Sequence, residues 1–283
     1  MTTVLRLRAL PEIVCFALVV AGASCQPQSP GDQPQEVIHT KIGMDMVRVP
    51  AGTFEMGSRN GEENEQPVHT VSVAAFYMDR FEMTQECYAK LVVANGSHFK
   101  GPNLPVEQIS WGDAALFCNL RSRDEGLEPC YDEATAICNF DANGYRLPTE
   151  AELEYACRAG TTTAYSFGDD RRLLADYGWF SDNAAKKTHP AGQKKANPWG
   201  LYDMYGNVAE WCNDPYDKAY YASSPEQNPR GPDDGKLYVL RGSGWALGAD
   251  ACRSASRVGE DPGFLDGCFA RDTIGFRCVR NAD

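Results

Sequence analysis

From Gly160 to the C-terminus the chain holds no long periodic segment, and glycine, proline, asparagine and aspartate recur every few residues. That half must therefore fold as short elements and loops laid over a small core. Regular signals come earlier. Val47 to Met56 sets β-branched and aromatic residues around Pro50-Ala51-Gly52, which predicts two short strands about a turn. His69 to Met78 alternates again. Thr84 predicts a helix through Val93, Ser110 a second through about Arg123, and Thr149 a third with Glu152 at the capping-box position. In such a box each side chain satisfies a backbone donor that the helix end leaves open, so Thr149 and Glu152 carry no catalytic assignment. With 283 residues, 43% of them hydrophobic, the chain needs one large domain plus tails.

Residues 1–24 read as an export signal: Arg6 and Arg8 precede an apolar run from Ile13 to Val20, and small residues follow. The run is too short to cross a bilayer. Ala21 to Ser24 before Cys25 also resemble a bacterial lipobox, whose cysteine is acylated. Gly22 stands where leucine is usual, so a cell-envelope lipoprotein anchored through lipid on Cys25 and a secreted protein both stay open. Residues 25–39, rich in Pro and Gln, then read as a flexible tether, and 40–281 as the domain. The formal charge of −12, with no basic run, argues against nucleic acid and against binding to anionic membrane surfaces.

Export changes what the 11 cysteines mean. In an oxidising compartment they are expected to pair. No two are spaced C-x-x-C and the four histidines are scattered, which argues against a zinc cluster. Cys130 and Cys138 lie close together in a loop-like stretch with Pro129 and are expected to pair locally; Cys157 with Cys252 is a further expected pair.

Several runs, in order, carry a family resemblance: Gly43 to Ser58, Met78 to Thr84, Val106 to Cys118, Gly144-Tyr-Arg-Leu-Pro-Thr-Glu-Ala-Glu-Leu-Glu-Tyr-Ala-Cys-Arg158, Gly200-Leu-Tyr-Asp-Met-Tyr-Gly-Asn-Val-Ala-Glu-Trp211, Leu240 to Trp245, Cys252 to Arg257, and Gly275-Phe-Arg-Cys278. Over about residues 40 to 280 the chain resembles the sulfatase-modifying-factor, or formylglycine-generating-enzyme, domain. The resemblance implies an α+β, C-type-lectin-like fold rich in irregular structure. It implies a disulfide between Cys118 and Cys278, and a calcium ion held by Asp203, by the carbonyls of Gly206 and Val208, and by Glu210. Oxygen ligands of that kind suit a hard cation, and a carboxylate at Glu210 is costly to bury without a counter-charge.

The oxidase members of that family hold Cu(I) on a pair of cysteines just after a Gly-Gly-Ser-Tyr or Gly-Gly-Ser-Trp run and convert a substrate cysteine to formylglycine with O₂. Here Ala246-Leu-Gly-Ala-Asp-Ala251 follows Trp245 and only Cys252 comes next. One thiolate does not make that soft-metal site, so copper is not expected. The family's serine aligns with Gly244 and a tryptophan with Ala209, so the pocket is expected to be enlarged, with Trp211 and Trp245 as aromatic walls. Two functions follow. One is an exported, calcium-stabilised binding or accessory module for a peptide, protein or glycan. The other is an oxidase whose second thiolate comes from elsewhere, with Cys252 and Cys268 as the candidates.

Overall fold

The computed structural model describes residues 36–263 and 271–282. The expected signal, Cys25 and Cys268 lie outside the described residues. Among the described residues ten strands and four α-helices follow in order: β1 (Val37–His39), β2 (Asp45–Val49), β3 (Gly52–Met56), β4 (His69–Val73), β5 (Phe76–Asp79), α1 (Gln85–Tyr88), α2 (Trp111–Asp124), α3 (Glu150–Arg158), α4 (Leu174–Tyr177), β6 (Ala209–Pro215), β7 (Tyr238–Arg241), β8 (Val258–Glu260), β9 (Ile274–Gly275) and β10 (Val279–Asn281). Among the described residues no helix is long and apolar enough to cross a membrane.

The strands form sheets ordered β1-β2-β5-β10 and β8-β7-β6-β9, with β3-β4 as a separate hairpin. The turn at Pro50-Ala51 sends its two strands to different sheets: β2 pairs antiparallel with β5, β3 with β4. The fold starts earlier than the sequence suggests. β1, assigned above to the tether, pairs with β2 in the register Val37 to Val47.

Both longer helices begin where their caps predict. The Ser110 side chain accepts from Asp113 N, and Thr149 and Glu152 form the full reciprocal box. α1 does not run on to Val93 as expected. Val93 is completely exposed, so a longer helix would gain no apolar burial to offset its ordering. All nine residues of α3 are buried: Glu150 and Glu154 meet Arg241 of β7, and Arg158 pairs with Glu154 one turn away. Around α3 one apolar cluster gathers Val47, Val71, Phe76, Tyr205 and Val239, while a second gathers Met46, Trp111, Phe117, Trp211 and Phe276 around α2.

Candidate functional site

The segment from β7 to β8 folds over the start of β6 and leaves a cavity of about 100 Å³ lined by Ala209, Ser243, Gly244, Leu247, Val258 and Ile274. Leu247 and Val258 are 49% and 48% exposed, so the cavity has an apolar lip open to solvent. Arg271 and Glu260, paired at 3.1 Å, supply its charged edge. Ser243 is a residue the sequence did not single out. It sits at φ +65°, a left-handed conformation uncommon outside glycine, and its buried hydroxyl has no oxygen or nitrogen partner, only the weak Cys252 thiol beside it. Backbone held this way with an unmatched polar group is a recurring mark of a binding site.

Two of the expected pocket residues line this cavity and two do not. Ala209 does, with its N–H on Thr273 O at 2.7 Å. Gly244 does too, yet not by leaving empty space: a Cβ there would lie 2.8 Å from Thr273 O, so the missing side chain is used by a close backbone approach. Trp211 is instead a core residue, 2% exposed, donating from Nε1 to Ile109 O at 3.0 Å. Trp245 turns its Nε1 to Asp272 O at 2.9 Å and packs edge-on against Phe99. Neither tryptophan walls the cavity, because each indole N–H finds a carbonyl elsewhere.

Behind Phe99 stands another carboxyl that the sequence reading passed over. Glu107 is fully buried; Oε1 accepts from Phe99 N at 2.8 Å, and the His98 N–H also lies against the carboxyl. Burial pushes this carboxyl up to about 7.

Cys252 is fully buried, and its thiol points at Gly248 O at 3.7 Å. Burial pushes it up to about 12, far from the thiolate that a soft metal or an oxidase needs. All the described cysteines stand as thiols. Cys118 and Cys278 come together in the core with their sulfurs 3.6 Å apart. Cys130 and Cys138 flank a small turn in which Asn139 N donates to Cys130 O, but they are not bridged. Nor is Cys157 bridged to Cys252, since the Cys157 thiol turns toward Ser254 Oγ and Met204 O.

The four expected calcium ligands fall in one buried region. Gly206 is at φ +88° and a Cβ there would lie 2.0 Å from Trp179 O, which explains the glycine sterically. Val208 N donates to Glu82 Oε1 at 3.0 Å. Glu210 has both oxygens on Arg277, at 2.6 and 2.7 Å. The counter-charge that the sequence left unassigned is thus a guanidinium 67 residues away. Asp203 is different: Oδ2 accepts from Gly192 N at 2.7 Å, while buried Oδ1 has no partner. Burial raises Asp203 to about 6, and burial with the charges of Asp203 and Glu210 raises Glu82 strongly. Asp203 therefore fits a cation ligand and Glu210 does not. Among the described residues no three or more His, Cys, Asp and Glu side chains converge as a metal site, so backbone carbonyls would have to complete any shell.

Comparison with known proteins agrees with this architecture. The sequence pattern of the sulfatase-modifying factor enzyme 1-like domain matches residues 33–282. The chaperone protein LppX of Paenibacillus barcinonensis is 30% identical over 86% of this chain and 91% of its own length. The formylglycine-generating enzyme of Streptomyces coelicolor is 31% identical over 84% of this chain and 89% of its own. The serine/threonine-protein kinase pkn1 of Chlamydia caviae is 33% identical, but the match spans only 40% of that protein. Among solved structures, Treponema denticola variable protein 1 superposes with a TM-score of 0.79 at 32% identity, covering 88% of this chain and all of the other.

Proposed function

The chain belongs to the sulfatase-modifying factor enzyme 1-like domain family, and we propose that within it this protein is an exported binding or accessory module that has given up the copper chemistry and uses the cavity beside Ser243 to hold a peptide or protein partner. One observation carries this reading: Cys252 is a sealed, protonated thiol, and the residues just before it supply no second sulfur. A Cu(I) site needs soft thiolates that solvent and substrate can reach.

The cavity suits a single side chain. Its volume is about 100 Å³, its lip is the exposed pair Leu247 and Val258, and its Ser243 hydroxyl has only the weak Cys252 thiol for a partner. An inserted apolar side chain would bury that lip, and a neighbouring peptide N–H or C=O would pair the hydroxyl. The name of the Paenibacillus relative, a chaperone protein, is in keeping with such an accessory role.

Calcium enters this proposal as a stabiliser, held by Asp203 with the Gly206 and Val208 carbonyls, while Glu210 remains with Arg277. Asp203 Oδ1 is buried without a partner, and a divalent cation would pair it. Calcium is then expected to raise the melting temperature of wild type and to leave Asp203→Asn unmoved; no shift in wild type removes calcium from the reading.

The activity test is oxygen consumption with added copper and a cysteine-containing sulfatase peptide. No turnover is expected. Turnover lost in Cys252→Ala would instead establish the oxidase, with Cys268 as the first candidate for its second thiolate. Filling the cavity with Ala209→Trp is expected to abolish capture of peptides from a random library without unfolding the chain. Retained capture would remove the cavity from the proposal, and a glycan binding in place of any peptide would overturn its partner class.

A further inference from the structure

A second cavity, of about 400 Å³, lies against the same chain segment as the first: Ala251 and Ser256 line the smaller cavity, Arg253 and Ala255 this one. Its volume is in the range of small-ligand sites. Three arginines reach it. Arg158 is the most buried, 5% exposed, with Nε on Glu154 at 2.9 Å, Nη1 on Thr163 O at 3.2 Å, and Nη2 on both Gly57 O and Glu154 at 2.8 Å. Arg253 is held by Glu65 through both terminal nitrogens and by Asp250 O through Nε, so it commits three of the five N–H groups a guanidinium carries. Arg59 is exposed and makes no ion pair among the described residues. Glu55 and Asp169 face the same space. Each is exposed, and each has a neutral partner, the Thr70 hydroxyl and Ala164 N.

Arg158 belongs to a buried network with more base than acid. Glu150 receives Arg241 and Arg257; Glu154 receives Arg241 and Arg158. Three guanidinium groups therefore share two glutamates. Asp214, whose Oδ2 accepts the Glu150 N–H, makes no ion pair with any of the three, and burial with the Glu150 charge raises it well above its ordinary value. Arg158 is the member of that network that lines the larger cavity, and through it the surplus positive charge reaches a ligand there.

That surplus and Arg59 stand against Glu55 and Asp169. A dianion would approach two carboxylates, and a simple cation would approach three arginines. A molecule carrying one charge of each sign meets neither penalty. We propose that this cavity binds a small zwitterion, an amino acid or short peptide, with its carboxylate toward Arg158, Arg253 and Arg59 and its ammonium toward Glu55 and Asp169. Planar guanidinium groups match a carboxylate with paired N–H bonds, and Val68, Ala164 and Ala255 leave room beside them for small apolar side chains.

The test is calorimetric titration of the full chain with Ala-Ala, N-acetyl-Ala-Ala, Ala-Ala amide and inorganic phosphate. Ala-Ala is expected to bind saturably below roughly 10 mM, and either blocked form to bind about tenfold more weakly or worse. Arg59→Gln should weaken Ala-Ala about tenfold, while Asp169→Asn should weaken Ala-Ala but not the N-acetylated form. Both positions are exposed, so urea unfolding should show an intact fold. Phosphate binding as tightly as Ala-Ala would make this a simple anion site and overturn the proposal. So would equal affinity for a blocked form, unchanged binding in Arg59→Gln, or no saturable Ala-Ala binding. None of these outcomes bears on the smaller cavity, whose test is peptide capture by Ala209→Trp.

Discussion

Glu107 offers the sharpest test of the electrostatics inside this fold. It is a carboxyl with no exposed surface, held by the Phe99 and His98 backbone N–H groups, and burial outweighs these to raise it from the ordinary 4.5 to about 7. The folded state therefore holds its proton more tightly than the unfolded chain does. Below pH 4.5 both states are protonated and the group costs nothing. Between 4.5 and 7 the unfolded chain ionises while the folded one resists, so stability falls as pH rises, and the full penalty is present above 7. A displacement of that size corresponds to about 3 kcal/mol at pH 8, using 1.36 kcal/mol per pKa unit. Glutamine keeps the acceptor for Phe99 N and removes the charge. In urea denaturation at pH 5, 6, 7 and 8, Glu107→Gln should gain on wild type at each step, by about 2.5 kcal/mol across the series. The difference between the two proteins cancels every other titrating group. A flat difference from pH 5 to 8, or a variant that loses ground in alkali, would show that Glu107 is solvated or paired and that the packing around Phe99 and Trp245 is not as described.

Gly244→Ser restores the serine of the family's oxidase run but should cost about 1–3 kcal/mol, because the new Cβ meets the Thr273 carbonyl; equal urea midpoints would refute the close approach. Glu210→Gln leaves Arg277 buried with its charge unmatched and should lose about 3–5 kcal/mol, whereas wild-type stability would mean the pair is solvated. Cys118 and Cys278, already in contact, should oxidise to a disulfide in an export compartment, and reduction should then cost on the order of 4 kcal/mol. Thiol counting after air oxidation checks this: loss of the same two thiols in wild type but not in Cys118→Ala is the expected pattern, and full thiol titre in both would rule the bridge out.

Local chemistry was legible in the sequence wherever cause and consequence lie within a few residues. Ser110 caps α2, Thr149 and Glu152 close their box, and Pro50-Ala51-Gly52 separates two strands, because each needs only its own neighbours. The family was legible as well, since ordered runs along the whole chain carry it, and so was the absence of a paired sulfur before Cys252. Only the tertiary structure decided how charge and space are shared. Glu210 meets Arg277, Glu154 meets Arg241, Gly244 yields its volume to Thr273, and Trp211 turns into the core, all across separations that no local pattern encodes. The energy of a buried charge or an unmatched hydroxyl depends on what the folded chain brings within a few ångströms of it. Burial and long-range contact, properties of the assembled core, therefore turned a legible fold into two specific candidate cavities.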